Sequence, residues 1–290
     1  MVNIPAKVFS VLRELFFDGN GIPRKFHLRE KRNTQDDPFD EMIAYELKST
    51  LNPIGLMCEK APGPLISPDI AIYNSKINLE SDQAISNPEQ LIGIEVKKLE
   101  RSTNGAIARA SGLDYNSTPP CGSIRLYSPS GKAITAKGYY LFACLERTDD
   151  LYSVTAMCLC DGSVLNDDYD LYNEITGSRE KGINLGTYGD GANRNRPMLI
   201  FANPLGAGFL DRKISLISGI DLSNIGGNIS LAWRIHRKDT MRNDHLFFAY
   251  LDKRDVPFGH GVIDVYDPFP VPQHRSVETQ GRGRFRLGNT

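Results

Sequence analysis

Two short motifs hold the residue types that hydrolysis at phosphate requires. Pro68-Asp69 opens an apolar run that continues Ile70-Ala71-Ile72-Tyr73, and Glu95-Val96-Lys97 closes a second run, Leu91-Ile92-Gly93-Ile94. Side chains alternate along a strand, so Glu95 and Lys97 face one way and Val96 the other, into a core. If the two runs are adjacent strands, Asp69 comes beside Glu95, and two acids and one ammonium meet at one end of a sheet. Adjacent carboxylates repel, and a divalent cation removes that cost. Mg2+ takes one or two carboxylates together with waters and a phosphate oxygen. The Val96 carbonyl could add one more oxygen, and Lys97 would stand near the attacking water and the charge developing on the phosphate. The competing structural reading makes Asp69 a turn cap after Pro68 and puts Glu95 and Lys97 on an exposed strand face. By alternation Lys98 faces away, which leaves Lys97 as the better candidate.

In these residues the chain resembles the PD-(D/E)xK nuclease superfamily, with Pro68-Asp69 as the PD element and Glu95-Val96-Lys97 as the (D/E)xK element. The resemblance implies an α+β fold with a mixed central sheet flanked by helices, a restriction-endonuclease-like core. It also implies Mg2+-dependent phosphodiester hydrolysis, Asp69 and Glu95 as metal ligands and Lys97 as the catalytic lysine. Many members carry a further acid on the preceding helix. Glu41 and Glu46 are the candidates here, with Glu46 favoured because it is nearer the helix end that returns to the sheet. Members of this length with one catalytic core are often type II restriction endonucleases. The implied activity is therefore sequence-specific cleavage of double-stranded DNA, by a homodimer if the target is palindromic. A repair or recombination nuclease of the same superfamily is the enzymatic alternative, and a DNA-binding module that has lost catalysis is the non-enzymatic one.

The elements that would position the group are legible from periodicity. Val8, Val11, Leu12, Leu15 and Phe16 recur at helical spacing, and Gly19-Asn20-Gly21 stops that helix. After a basic stretch over 24–32, Asp36-Asp37-Pro38 starts a second helix carried by Phe39, Met42, Ile43, Leu47 and Leu51 and ended by Asn52-Pro53. The two motif strands follow, separated by a polar loop over 74–90. Residues 138–146 and 151–160 form a hairpin across 147–150. The stretch 163–197 is rich in Gly, Asn, Asp and Tyr and reads mostly as loop. Further strands are expected over 214–222, 229–235 and 245–251, before a Gly/Arg-rich tail on the surface. These elements make a single domain over 1–290. Its catalytic core spans about 38–162, and its strand-rich C-terminal part, about 163–290, would contribute DNA recognition.

Candidate DNA contacts are Arg101, Arg109 and Arg125 behind the second motif, Arg194-Asn195-Arg196 in the Gly/Asn-rich stretch, and the late cluster Arg234, Arg237, Lys238 and Arg242. Arg suits guanine edges and Asn suits adenine. The plainer reading of each cluster is a solvated face or simple phosphate contacts. With 34 basic against 35 acidic residues the net charge is -1, so general basicity carries no argument for nucleic acid, and affinity must come from a local cleft. A 40% hydrophobic content over 290 residues supports a large core. No apolar run approaches the roughly 20 residues of a membrane span. Arg13 and Glu14 interrupt the segment where a signal peptide would be apolar. Five cysteines at 58, 121, 144, 158 and 160 make no disulfide framework, which points to half-buried free thiols in a reducing cytoplasm. GxxxxGK[ST] is absent, so no nucleotide cofactor is expected, and neither HExxH nor GxSxG occurs.

Overall fold

The first amphipathic pattern forms α1 (Ile4–Phe16), capped by Asn3, whose side-chain oxygen accepts the Ala6 N–H at 2.9 Å. Gly21, at φ +68°, turns the chain into β1 (Lys25–Phe26). Next comes α2 (Pro38–Leu51), with Pro38 at its first position and Asp37 accepting the Phe39 and Asp40 N–H groups. Its buried stripe is Phe39, Ile43, Ala44, Leu47 and Leu51. The chain then becomes almost wholly strand: β2 (Leu56–Lys60), β3 (Ile70–Asn74), β4 (Leu91–Glu100), β5 (Leu113–Tyr115), β6 (Ser123–Tyr127), β7 (Ala133–Thr148) and β8 (Leu151–Asp161). Beyond these lie β9 (Met198–Phe201), β10 (Ile214–Ser218), β11 (Ile229–Lys238), β12 (Asp244–Asp252), β13 (Ile263–Tyr266) and β14 (Gln273–Arg275). This computed structural model describes residues 3–33, 36–63, 68–81, 90–102, 104–107, 113–115, 122–165, 198–201, 203–222, 228–238, 242–256, 259, 261–269 and 273–275.

Eleven strands form one mixed sheet in the order β13-β11-β12-β10-β8-β7-β4-β3-β2, with β1 paired to β8 and β6 to β7. Strands β2, β3 and β4 are an antiparallel meander, and β7 joins β4 in parallel, with Glu95 opposite Tyr140 and Lys97 opposite Phe142. The expected hairpin is β7–β8, turned at Asp149 (φ 56°). The parallel pairing of β10 with β8 carries the same sheet into the C-terminal half. Strands β5, β9 and β14 form a separate three-stranded sheet.

One face of the large sheet, with Ile70, Ile72, Ile92, Ile94 and Val96, packs under both α-helices. The opposite face carries Tyr140, Phe142, Cys144, Cys158 and Cys160, and is covered by Leu205, Leu210 and Phe269. The mixed sheet agrees with expectation, but the helical flanking differs. Among the described residues both α-helices lie on one side, and apolar side chains from loops and turns close the other. Strand β2 and the short strands β1, β5, β6, β9, β13 and β14 went unread because runs such as Leu56-Met57-Cys58-Glu59-Lys60 are too short or too polar to show alternation. The thiols of Cys58, Cys144, Cys158 and Cys160 are free and more deeply placed than expected, all four being buried. No helix among the described residues is long and apolar enough to cross a membrane. The Gly/Asn-rich stretch from 166 to 197 and the tail from 276 lie outside the described residues.

Candidate functional site

Strand β3 pairs with β4 only as far as Ile70 opposite Ile94. Beyond that point β4 continues without its neighbour, and Asp69 fills the gap: its Oδ2 accepts the Val96 N–H at 2.7 Å. A strand residue points its N–H and C=O the same way, so the Val96 carbonyl also opens toward the end of β3. Pro68 fixes this crossing. Its ring lies over Gly93 of β4, where a Cβ would come within 2.9 Å of Pro68 Cγ and 3.2 Å of Ile124 Cδ1. Only a glycine lets the residue preceding Asp69 approach this closely.

On the same strand Lys97 Nζ donates to Glu95 Oε1 at 2.9 Å. The Glu95 side chain is 9% exposed and that of Lys97 22%, so this is no solvated strand face. Alternation also holds for Lys98, which turns to the helix side and pairs with Asp37, the cap of α2. A second acid reaches the group from α2, and it is Asp40. Burial and then the Asp69 charge push its carboxyl up to about 7, while Lys60 and Lys97 pull it down and Glu95 pushes it further up. Its Oδ1 is buried without a hydrogen-bond partner among the described residues. Asp69 is likewise raised, to about 6, first by burial and next by Glu95. Asp69 and Glu95 thus flank Val96 of β4, and the charge of each is felt by Asp40 of α2.

The helix acids expected from the sequence lie elsewhere. Glu41 is paired with Arg29, and Glu46 is half-buried and accepts a hydrogen bond from Thr50 Oγ1 at 3.4 Å. Asp40 carried a readable signal: it sits four residues before buried Ala44 and three before Ile43, inside the apolar stripe, whereas Glu41 aligns with exposed Tyr45. Lys60, at the end of β2 opposite Ile70, was also missed, since β2 itself was not visible.

A Mg2+ ion suits this donor set. Asp69 and Glu95 are the carboxylates expected to hold it, the Val96 carbonyl points the right way, and one oxygen of Asp40 is buried without a hydrogen-bond partner among the described residues. Among the described residues no three His, Cys, Asp or Glu side chains are already gathered as a metal-binding group. That is compatible with Mg2+, which is usually bound through one or two carboxylates plus water and substrate phosphate.

The expected DNA contacts divide. The Arg101 side chain is only 3% exposed; it bridges Asp211 at 2.7 Å and Glu146 at 3.0 Å and donates to the Gly105 carbonyl at 3.0 Å. Arg237 is also buried and donates to the Phe269 and Leu165 carbonyls. Both arginines hold loops onto the core, which leaves their guanidinium groups little surface to offer DNA. Arg234 and Lys238 are exposed, 3.6 Å from Asp264 and 3.8 Å from Asp244, and Arg242 is exposed at φ 67°. Arg109, Arg194, Asn195, Arg196 and the Arg125 side chain lie outside the described residues. Searched against known proteins, the chain matches no protein-family model and no curated protein significantly.

Proposed function

We propose that this chain is a Mg2+-dependent endonuclease that hydrolyses phosphodiester bonds of double-stranded DNA, in the manner of a type II restriction enzyme of the PD-(D/E)xK superfamily. The observation that carries the reading is the juxtaposition on β4 of the Val96 N–H held by Asp69 and the Glu95–Lys97 pair on either side of Val96, with Asp69 and the nearby helix acid Asp40 raised toward neutrality. A structural ion pair balances its charges; this group leaves negative charge in excess at a buried place, which favours a bound cation. The meander β2–β3–β4, the parallel β7 and α2 across one face support a restriction-endonuclease-like core.

When bound, a divalent cation stabilises charge developing on the phosphate and acidifies water. Asp69 and Glu95 hold it, with the Val96 carbonyl beside them. Lys97, kept in place by Glu95, directs its ammonium at the attacking water and the non-bridging phosphate oxygens. Water forms the new P–O bond and releases a proton to solvent, the bond to the leaving sugar oxygen breaks, and that oxygen takes a proton from solvent. Exposed Arg234, Lys238 and Arg242 remain as candidate DNA contacts, and a two-fold dimer would match a palindromic target.

Incubation of plasmid DNA with Mg2+ tests the reading. Discrete fragments are expected from the wild type and none from Asp69→Ala or Lys97→Ala, with both variants folded. Smears or end-trimming would move the assignment to a repair or recombination nuclease, and full activity in both variants would falsify the site.

A further inference from the structure

Resting on that reading, the geometry points to the cleft between α2 and β2 as the seat of the DNA backbone beside the scissile phosphate, with Lys48 and Lys60 as its phosphate-binding cations and Tyr45 as a surface for its sugars. The cleft holds about 420 Å3 and is lined by Glu41, Ala44, Tyr45, Lys48, Cys58, Glu59 and Lys60. Lys60 connects it to the acidic group, being opposite Ile70 in register, with the next residue, Ala61, donating its N–H to the Asp69 carbonyl at 2.8 Å. A strand whose phosphate reaches Asp69 therefore has its neighbouring phosphate at Lys60.

Charge engagement within the cleft supports this occupant. Of its two carboxylates Glu41 is paired with Arg29 and Glu59 accepts the Tyr73 hydroxyl at 2.5 Å, which leaves two lysines against one acid without a cation. Neither Lys48 nor Lys60 has an ion-pair partner among the described residues, and both are exposed. Tyr45, one turn before Lys48, is 74% exposed, an unusual cost for a large aromatic ring with nothing to cover it. The floor is neutral. The Cys58 thiol is buried against the Ala44 carbonyl and pushed up to about 12, so it adds no negative charge near neutral pH. Unpaired ammonium groups suit the phosphates of a duplex backbone, and an exposed ring beside them suits its sugars.

The test is the salt dependence of duplex binding, read by anisotropy of a fluorescein-labelled DNA with the full chain carrying Lys97→Ala and with Mg2+ present. Each phosphate contact contributes roughly 0.9 to the slope of log affinity against log salt. Adding Lys48→Ala should lower that slope by about one, and Lys48→Ala with Lys60→Ala by about two. Lys253→Ala, on a distant turn, should leave it unchanged, and Tyr45→Ala should weaken binding about tenfold. An unchanged slope in the double variant, with the duplex still bound and the wild type still cutting, overturns the cleft assignment and leaves the nuclease reading standing. No duplex binding and no cleavage by the wild type sink both.

Discussion

Two lysine–carboxylate pairs sit in the same sheet, and they are put together differently. Near the start of β7, Lys137 Nζ lies 3.0 Å from Asp161 Oδ1 and 2.6 Å from Ser163 Oγ, while the other donor to Asp161 is the Ser163 N–H at 3.0 Å. One acid meets one ammonium, and neighbouring donors complete the set. At the end of β3, Lys97 meets Glu95 with Asp69 and Asp40 close by, and one oxygen of Asp40 has no partner among the described residues. The first arrangement resembles the Arg101 hub with Asp211 and Glu146, where charge fixes the path of the chain. The second keeps its electrostatic cost, which is the feature on which the proposed cation site rests. A buried charge is therefore not informative by itself; the imbalance is.

Exchanging the two lysines' roles gives the strongest contrast. Lys97→Ala should reduce cleavage by about 10^3-fold, the scale of losing a group aimed at transition-state charge, with little change in thermal stability. Lys137→Met should do the opposite. It leaves buried Asp161 uncompensated at a cost of about 3 kcal/mol, while cleavage by the folded protein stays near wild type. Plasmid cleavage and urea unfolding on both variants read the two outcomes.

Gly93→Ala should come next. A methyl group there pushes Pro68 off β4 and moves Asp69 with it. A displacement of about an ångström at a reacting group is worth roughly 10^2-fold in rate, so cleavage should fall by about that factor with less effect on DNA affinity.

The smallest expected effect is the pH dependence of Asp40. Its carboxyl is raised from 3.8 to about 7, so the folded chain holds a proton that the unfolded chain has already released. The stability from that proton is fully present below about pH 4 and is lost as pH rises through about 7. Asp40→Asn keeps a neutral side chain at every pH. It should be more stable than wild type by an amount that grows from pH 4 to pH 8, reaching on the order of 2 kcal/mol without metal. Mg2+ should raise the melting temperature of the wild type at pH 8 and narrow that gap.

Most of what positions the site could be read from residues alone. The Asp37-Pro38 start of α2, the β3–β4 pairing and the opposite facing of Lys97 and Lys98 all follow from caps and from alternation with period two. Asp40 was not among the helix acids read from the sequence; an acid in a first helical turn is ordinarily explained by the helix dipole, and only its spacing from Ile43 and Ala44 sets it in the apolar stripe. The burial of Arg101 and Arg237 was illegible for a different reason. A sequence shows how many charges a segment carries but not which of them find buried partners, and Asp211 and the Phe269 carbonyl are far away in the chain. The role of Gly93 depends on which ring crosses it, and only the folded register supplies that.

Calorimetric titration of Mn2+ or Mg2+ into the full chain at pH 6.5, repeated in buffers of different ionisation enthalpy and with a DNA duplex present, bears on the acid group most immediately. One site should appear, with proton release, since Asp40 at about 7 and Asp69 at about 6 must give up protons to accept a cation. That site should vanish in Asp69→Asn. Absence of metal binding with and without DNA, or an unaltered site in Asp69→Asn, would contradict the assignment of these carboxylates to a cation.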